Sequence, residues 1–314
     1  MLAGSGGNIT VSVGPDGVLL VDTGTLQNSD RVLAAVRQLQ RQLATNGLQP
    51  WTFAAETRSN LPRMISPPAP PKPIRYIINT SLDPDHTGGN EKLSQAGATL
   101  TGGNVAGNIA DAGQGASIIA HENVLVRLSS PSGTQNATPF RALPTDTYRM
   151  ESMKLSHFFN GEGVLILHPL SAHTDGDSLV YFRGSDVIAA GDIFRTNGYP
   201  VIDIERGGNI QGVIDGLNRI LDLSIAEFRT EGGTMVIPGH GLLCDSADVA
   251  YYRDMVTIVR DRVQDMIVKG MTLQQIKAAR PTKDYDPRYG STTGAWTTDM
   301  FVEAVYQSLV QKKR

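Results

Sequence analysis

The sequence predicts a layered α/β protein with a mixed sheet and a helical C-terminal extension. Three observations predict it. Short apolar runs alternate with helical periodicities, an opening hairpin adds an antiparallel pair, and the pattern beyond His240 is purely helical. No linker divides the 314 residues, which suffice for one large α/β domain or about two average ones. Residues 1–245 are read as the main domain, and 246–314 as a helical extension packed on it.

The hairpin alternates from Asn8 to Val13 and turns at Gly14-Pro15-Asp16-Gly17. It returns as the apolar run Val18 to Asp22, ending in Asp22-Thr23-Gly24. A helix follows, with Asn28 or Ser29 as cap and Gly47 as stop. Val32, Leu33, Val36, Leu39 and Leu43 form its apolar stripe. Residues 50–73 lack periodicity and end in a proline cluster, which reads as an irregular surface loop and a candidate lid. The apolar run Ile74 to Ile78 then opens directly into the polar stretch Asn79 to Asn90. From Glu91 to Ala120 short helical and strand signals alternate, and 129–150 reads as a second long loop. Strand-like runs follow at 163–168, 179–182, 187–191 and 234–238. Between the last two lies a helix carrying Ile210, Val213, Ile214, Leu217, Ile220 and Leu221. The tail is read as helices over 247–268, 273–279 and 297–310.

Composition narrows the function classes. Hydrophobic residues at 40% and charged residues at 19% exclude a chain that is mainly disordered. With 28 basic against 31 acidic side chains, no nucleic-acid-binding surface is implied. The lone Cys244 rules out a disulfide framework and a cysteine-rich zinc module. No run of about 18 apolar residues exists, so no membrane span is expected. The start lacks the basic and apolar regions of a signal peptide, which predicts a cytoplasmic chain as written. A leader upstream of Met1 would make it periplasmic or secreted instead. The expected partner is a small-molecule substrate, and a homo-oligomer stays open.

Polar clusters stand where apolar runs end. They are Ser81-Leu82-Asp83-Pro84-Asp85-His86-Thr87-Gly88-Gly89-Asn90, Ala172-His173-Thr174-Asp175-Gly176-Asp177, Gly191-Asp192 and Pro238-Gly239-His240-Gly241. Loops beyond strand ends are the usual place for sites in α/β sheets. Glycines beside His and Asp let the backbone crowd around an ion, and imidazole with carboxylate is the usual ligand set of catalytic zinc. Singly, each His-Gly or Gly-Asp pair is more often a turn. Asp85-His86 alone could be a capping pair.

In order and context, these clusters resemble the metallo-β-lactamase superfamily up to about His240. The resemblance implies an αβ/βα sandwich, two mixed β-sheets flanked by helices, with two metal ions at the sheet edge. It implies Asp85, His86 and His240 as ligands of one ion, Asp192 as a bridge, and His173 in the other site. The bridging Asp is the pattern of the glyoxalase II-like branch. The chain departs from the family loop His-x-His-x-Asp-His, since Ser81 and Asp83 stand where both first-site histidines belong. A serine hydroxyl is a poor zinc ligand, and Asp83 offers oxygen where nitrogen is normal. The expectation is therefore one firm Zn2+ site, and a second that is weak, empty or occupied by a harder divalent ion such as Mn or Fe.

The resemblance implies a hydrolase using metal-activated water on an ester, thioester, lactone or lactam carbonyl. Asp85 and Asp83 are the catalytic candidates; Asp83, if it is not a ligand, could take the water's proton. Arg195, three residues beyond Asp192, stands where the family often contacts a substrate carboxylate. Two rivals are a non-catalytic metal- or ligand-binding protein and an oxidoreductase of the same fold. His121 is read as a capping or structural residue, and His157 and His168 as packing residues. Tyr285, Tyr289, Trp296 and Phe301 read as core aromatics and Cys244 as a small buried residue.

Overall fold

The run Gly17–Val21 is apolar at every position because both of its faces are covered. Leu19 and Val21 face a second sheet, whereas Val18 and Leu20 face helices. A strand buried on both sides loses the polar alternation of a half-exposed one. The computed structural model describes residues 1–46, 72–99, 115–130, 138–155, 157–224 and 233–311.

One sheet contains, in spatial order, β1 (Thr10–Gly14), β2 (Gly17–Val21), β3 (Ile74–Ile78), β4 (Ser117–His121) and β5 (Asp146–Tyr148). The hairpin β1–β2 is antiparallel, and the later pairs are parallel. The second sheet contains β6 (Ser152–Lys154), β7 (Val164–Leu167), β8 (Leu179–Phe182), β9 (Val187–Arg195) and β10 (Met235–His240) in sequential order from one edge. Only its β9–β10 pair is parallel. The sheets stack through Leu19, Val21, Ile78 and Ile119 against Val164, Ile166, Val180 and Phe182.

Helices close both outer faces. On the first sheet, Val32 and Val36 of α1 (Ser29–Asn46) pack on Val18, Leu20, Ile77 and Ile118. The short α2 (Pro84–Thr87) and α3 (Asn90–Gln95) follow β3, and α4 (Glu122–Ser129) follows β4. On the second sheet lie α5 (Ile210–Leu223), α6 (Ser246–Val268) and α9 (Thr298–Gln311), linked by α7 (Leu273–Ala279) and α8 (Asp286–Tyr289). The α6 stripe Val249, Tyr252, Val256, Val259 and Val263 repeats every three or four residues, the spacing of one helix face. This is the two-sheet sandwich flanked by helices that the sequence predicts.

Several elements differ from the sequence reading. The stretch 129–150 holds a 3-10 turn, Phe140–Ala142, and the edge strand β5, while 131–137 lies outside the described residues. The strand expected at 187–191 continues to Arg195, because Gly191 bends with φ +52° instead of ending it. Asn28 and Ser29 bond back into a 3-10 turn at Leu26–Asn28. The candidate lid at 50–73 falls outside the described residues as far as 71. Among the described residues no helix is long and apolar enough to cross a membrane.

Candidate metal centre

The ends of β3, β7, β9 and β10 meet at one edge of the sandwich. Two groups of side chains converge there, each with ligand atoms within 4.8 Å of one another: Asp85, His86 and His240, and Asp83, His173 and Asp192. Proline at the start of α2 presets φ and fixes the turn that projects Asp85 and His86. Asp192 comes from inside β9, immediately after the bent Gly191.

Asp192 stands between the groups. Its Oδ2 lies 3.1 Å from Nε2 of His86 and 3.8 Å from Nε2 of His173, and its Oδ1 lies 3.3 Å from Nε2 of His240. The same His240 nitrogen is 3.1 Å from Oδ2 of Asp85. His86 is fully enclosed, and its Nδ1 is 2.7 Å from Oδ2 of Asp22. Asp22 also accepts from Thr80 N at 2.8 Å and Thr80 Oγ1 at 2.6 Å, which locks the carboxylate in place.

Backbone atoms crowd this edge. A Cβ on Gly7 would lie 2.6 Å from Cε1 of His86, and one on Gly239 would lie 2.8 Å from Oδ1 of Asp192. Asn8 staples the N-terminus to the His240 loop. Its N donates to Gly239 O at 2.7 Å, and its Nδ2 donates to Pro238 O at 2.9 Å and Gly241 O at 3.1 Å.

The electrostatics follow from burial against opposite charge. Burial disfavours charge on Asp192, but His86, His240 and His173 outweigh it and hold the carboxyl well below its usual range. Burial likewise opposes protonation of His86, and Asp192 with Asp22 raises its pKa well above the usual imidazole value. His240 is raised too, against burial, by bonds to Asp192 and Asp85. Its bond to His240 lowers the Asp85 pKa. Despite burial, Asp83 and Asp192 push His173 up to about 10.

The Asp85–His86–His240 group fits a divalent cation. Nε2 of His86 is buried and lacks a hydrogen-bond partner, although Oδ2 of Asp192 is only 3.1 Å away. Asp22 holds Nδ1, so Nε2 is the ring nitrogen turned towards the Asp192 carboxylate, and a divalent ion would take the place of the proton between them.

The Asp83 group is built differently. Oδ2 of Asp83 is 2.9 Å from Nε2 of His173, and its Oδ1 accepts from Nη1 of Arg206 at 2.8 Å. Nδ1 of His173 faces Val201 O at 2.9 Å. Ser81 is buried, and its hydroxyl accepts from Asp83 N at 3.0 Å, fixing the turn.

Arg195 ends β9 opposite His240 in the β9–β10 register. Its Nε donates to Asn197 Oδ1 at 3.0 Å, and it borders a cavity of about 80 Å³ with Tyr199, Tyr289 and Trp296. Nε1 of Trp296 is buried without a hydrogen-bond partner. His121 accepts from Asn123 N at 3.3 Å and so caps α4. It stacks on His168 with ring centroids 3.8 Å apart. His157 is exposed rather than packed in the core, with its ring 6.1 Å from that of Tyr76. Phe301 and Tyr289 are buried in the tail core, whereas Tyr285 and Trp296 are only partly covered. Burial pushes the Cys244 thiol up to about 12.

Sequence reasoning gave no site role to Asp22 or Arg206. Asp22 ends an apolar run in the left-handed region, φ +65°, but its partner His86 is 64 residues away. Arg206 lies in a loop whose sole mark is the following Gly207-Gly208.

Comparison with known proteins gives the same frame. The architecture is similar to the stereoselective inverting sec-alkylsulfatase Pisa1 from Pseudomonas sp., with a TM-score of 0.54 and 17% identity over 96% of this chain and 47% of that one. The chain thus spans about half the length of that enzyme. It is also similar to the BLEG-1 B3 metallo-beta-lactamase, with a TM-score of 0.51 and 14% identity over 82% of this chain and 97% of that one. At such identities the likeness concerns the fold alone. No curated protein matches the sequence. The metallo-beta-lactamase superfamily profile matches residues 2–240, most of the chain, so the chain belongs to the metallo-beta-lactamase superfamily.

Proposed function

We propose that the protein is a metal-dependent hydrolase of an ester, thioester, lactone or lactam, centred on one ion held by Asp85, His86, His240 and Asp192. The observation that carries this reading is the enclosed, unpartnered Nε2 of His86 facing Asp192. Two imidazoles and two carboxylates suit Zn2+, and also Mn or Fe. An ion held there supplies Lewis acidity and brings the pKa of water towards about 7.

The side chains divide the remaining work. Asp22 orients His86 and fixes its tautomer. Asp83 is partly exposed and keeps further lone pairs beyond its two hydrogen bonds, so it can accept a proton from water in the cleft. Arg195, beside His240 in register, offers its guanidinium to a substrate carboxylate at the rim. Trp296 and Tyr199 line the same cavity.

The test is elemental analysis of protein purified without added metal, with parallel assays on nitrocefin, a lactone and a thioester. About one divalent ion per chain is expected. Ion and activity should be lost together in His240→Ala. Absence of any ion, with no activity after adding Zn, Mn or Fe, would overturn the reading in favour of a non-catalytic binding protein.

A further inference from the structure

We infer that Arg206 closes the first metal position of this protein: its guanidinium is the fixed positive charge that balances Asp83, so a second ion is excluded. The inference rests on the metal-centre reading above and concerns only the neighbouring Asp83–His173 group.

Both oxygens of Asp83 are engaged. Arg206 Nη1 donates to Oδ1 at 2.8 Å, and His173 Nε2 lies 2.9 Å from Oδ2. Since a carbonyl only accepts, the 2.9 Å contact from His173 Nδ1 to Val201 O requires Nδ1 to donate. That leaves Nε2 as the one ring nitrogen turned towards this position, and it faces Oδ2 of Asp83. The adjoining Ser81 hydroxyl is taken up by the backbone of Asp83.

Arg206 is built into place. Its N donates to Asp203 Oδ1 at 2.9 Å, and its Nε lies 3.4 Å from Asp203 Oδ2. Its carbonyl accepts from Asp175 N at 2.9 Å, and Asp203 N donates to His173 O at 2.9 Å. The turn carrying Arg206 is thus woven onto the loop carrying His173. A Cβ on Gly208 would lie 2.2 Å from His173 O, so this close packing depends on glycine.

The two groups differ in what must leave before an ion enters. In the Asp85 group the carboxylates pair with histidines, which give up a proton to a metal. Arg206 cannot be deprotonated, so an ion on Asp83 would stand beside a permanent cation. This asymmetry makes the Asp85 group the one that loads.

The experiment is titration of chelator-treated full-length protein with Zn2+, followed by calorimetry and native mass spectrometry. Wild type should take one equivalent. Arg206→Ala and Arg206→Gln should take a second equivalent at least about tenfold tighter than wild type does, with the first unchanged. The glutamine variant keeps a donor near Asp83, and thermal unfolding verifies that both variants fold. Two ions in wild type falling to one in the variants would overturn the inference, making Arg206 a support for Asp83 as ligand. One ion in all three proteins would overturn it as well. A first equivalent that is absent from wild type, or that survives His240→Ala, would instead sink the metal centre itself.

Discussion

Nδ1 of His86 lies 2.7 Å from Oδ2 of Asp22, in a contact closed to solvent on both sides. Such a partner sets which ring nitrogen keeps the proton and which faces the ligand position. Asp22→Asn keeps the shape and removes the charge. It should lower Zn2+ affinity about 10- to 100-fold in a chelator competition titration. Unchanged affinity would show that Asp22 serves only Thr80.

Gly7→Ala tests the backbone wall. The added methyl would stand 2.6 Å from the His86 ring, which cannot retreat because Asp22 holds its far side. Weaker Zn2+ binding is expected with the far-ultraviolet circular dichroism unchanged. An equally tight site would mean that the N-terminal segment yields instead.

Phe301→Ala tests how firmly the tail is seated. The ring is fully buried and stacks on Tyr199 at a centroid distance of 4.6 Å. Removing a buried phenylalanine costs about 3–5 kcal/mol. The urea midpoint should fall accordingly, with the slope unchanged. A loss below about 1 kcal/mol would show that α9 is only loosely docked.

The His121–His168 stack gives a pH dependence. Burial, helped by the charge His168 would carry, lowers His121 to about 4. A depressed imidazole favours the neutral folded form. Its stabilising contribution is therefore complete above about 6.5 and is lost as pH falls towards 4. Urea midpoints at pH 7 and pH 5 should drop more for wild type than for His121→Asn, which retains a capping side chain. Equal drops would assign the acid sensitivity elsewhere.

Much of the frame is visible in the residues because strand ends are sharp. Apolar runs stop at Ile78, Gly191 and Pro238, and the polar groups beyond them are Asp85, His86, Asp192 and His240. Parallel pairing brings such ends to one edge. The edge strands β5 and β6 are hidden because each has three residues, too few to show an alternation. Asp22 and Arg206 are hidden for another reason. Their partners lie 64 and 123 residues away, and no local pattern encodes a contact at that distance.

The Asn8 staple bears on when the centre can form during folding. It joins residues 230 and more apart, so the His240 loop gains its lateral support only after the segment before β1 has docked on the end of β10. Closing so large a loop is slow, because its entropy is lost before the contact is gained. A refolding chain will therefore build both sheets before it can hold an ion. Stopped-flow refolding with a zinc-sensitive dye should show metal capture lagging behind the recovery of secondary structure.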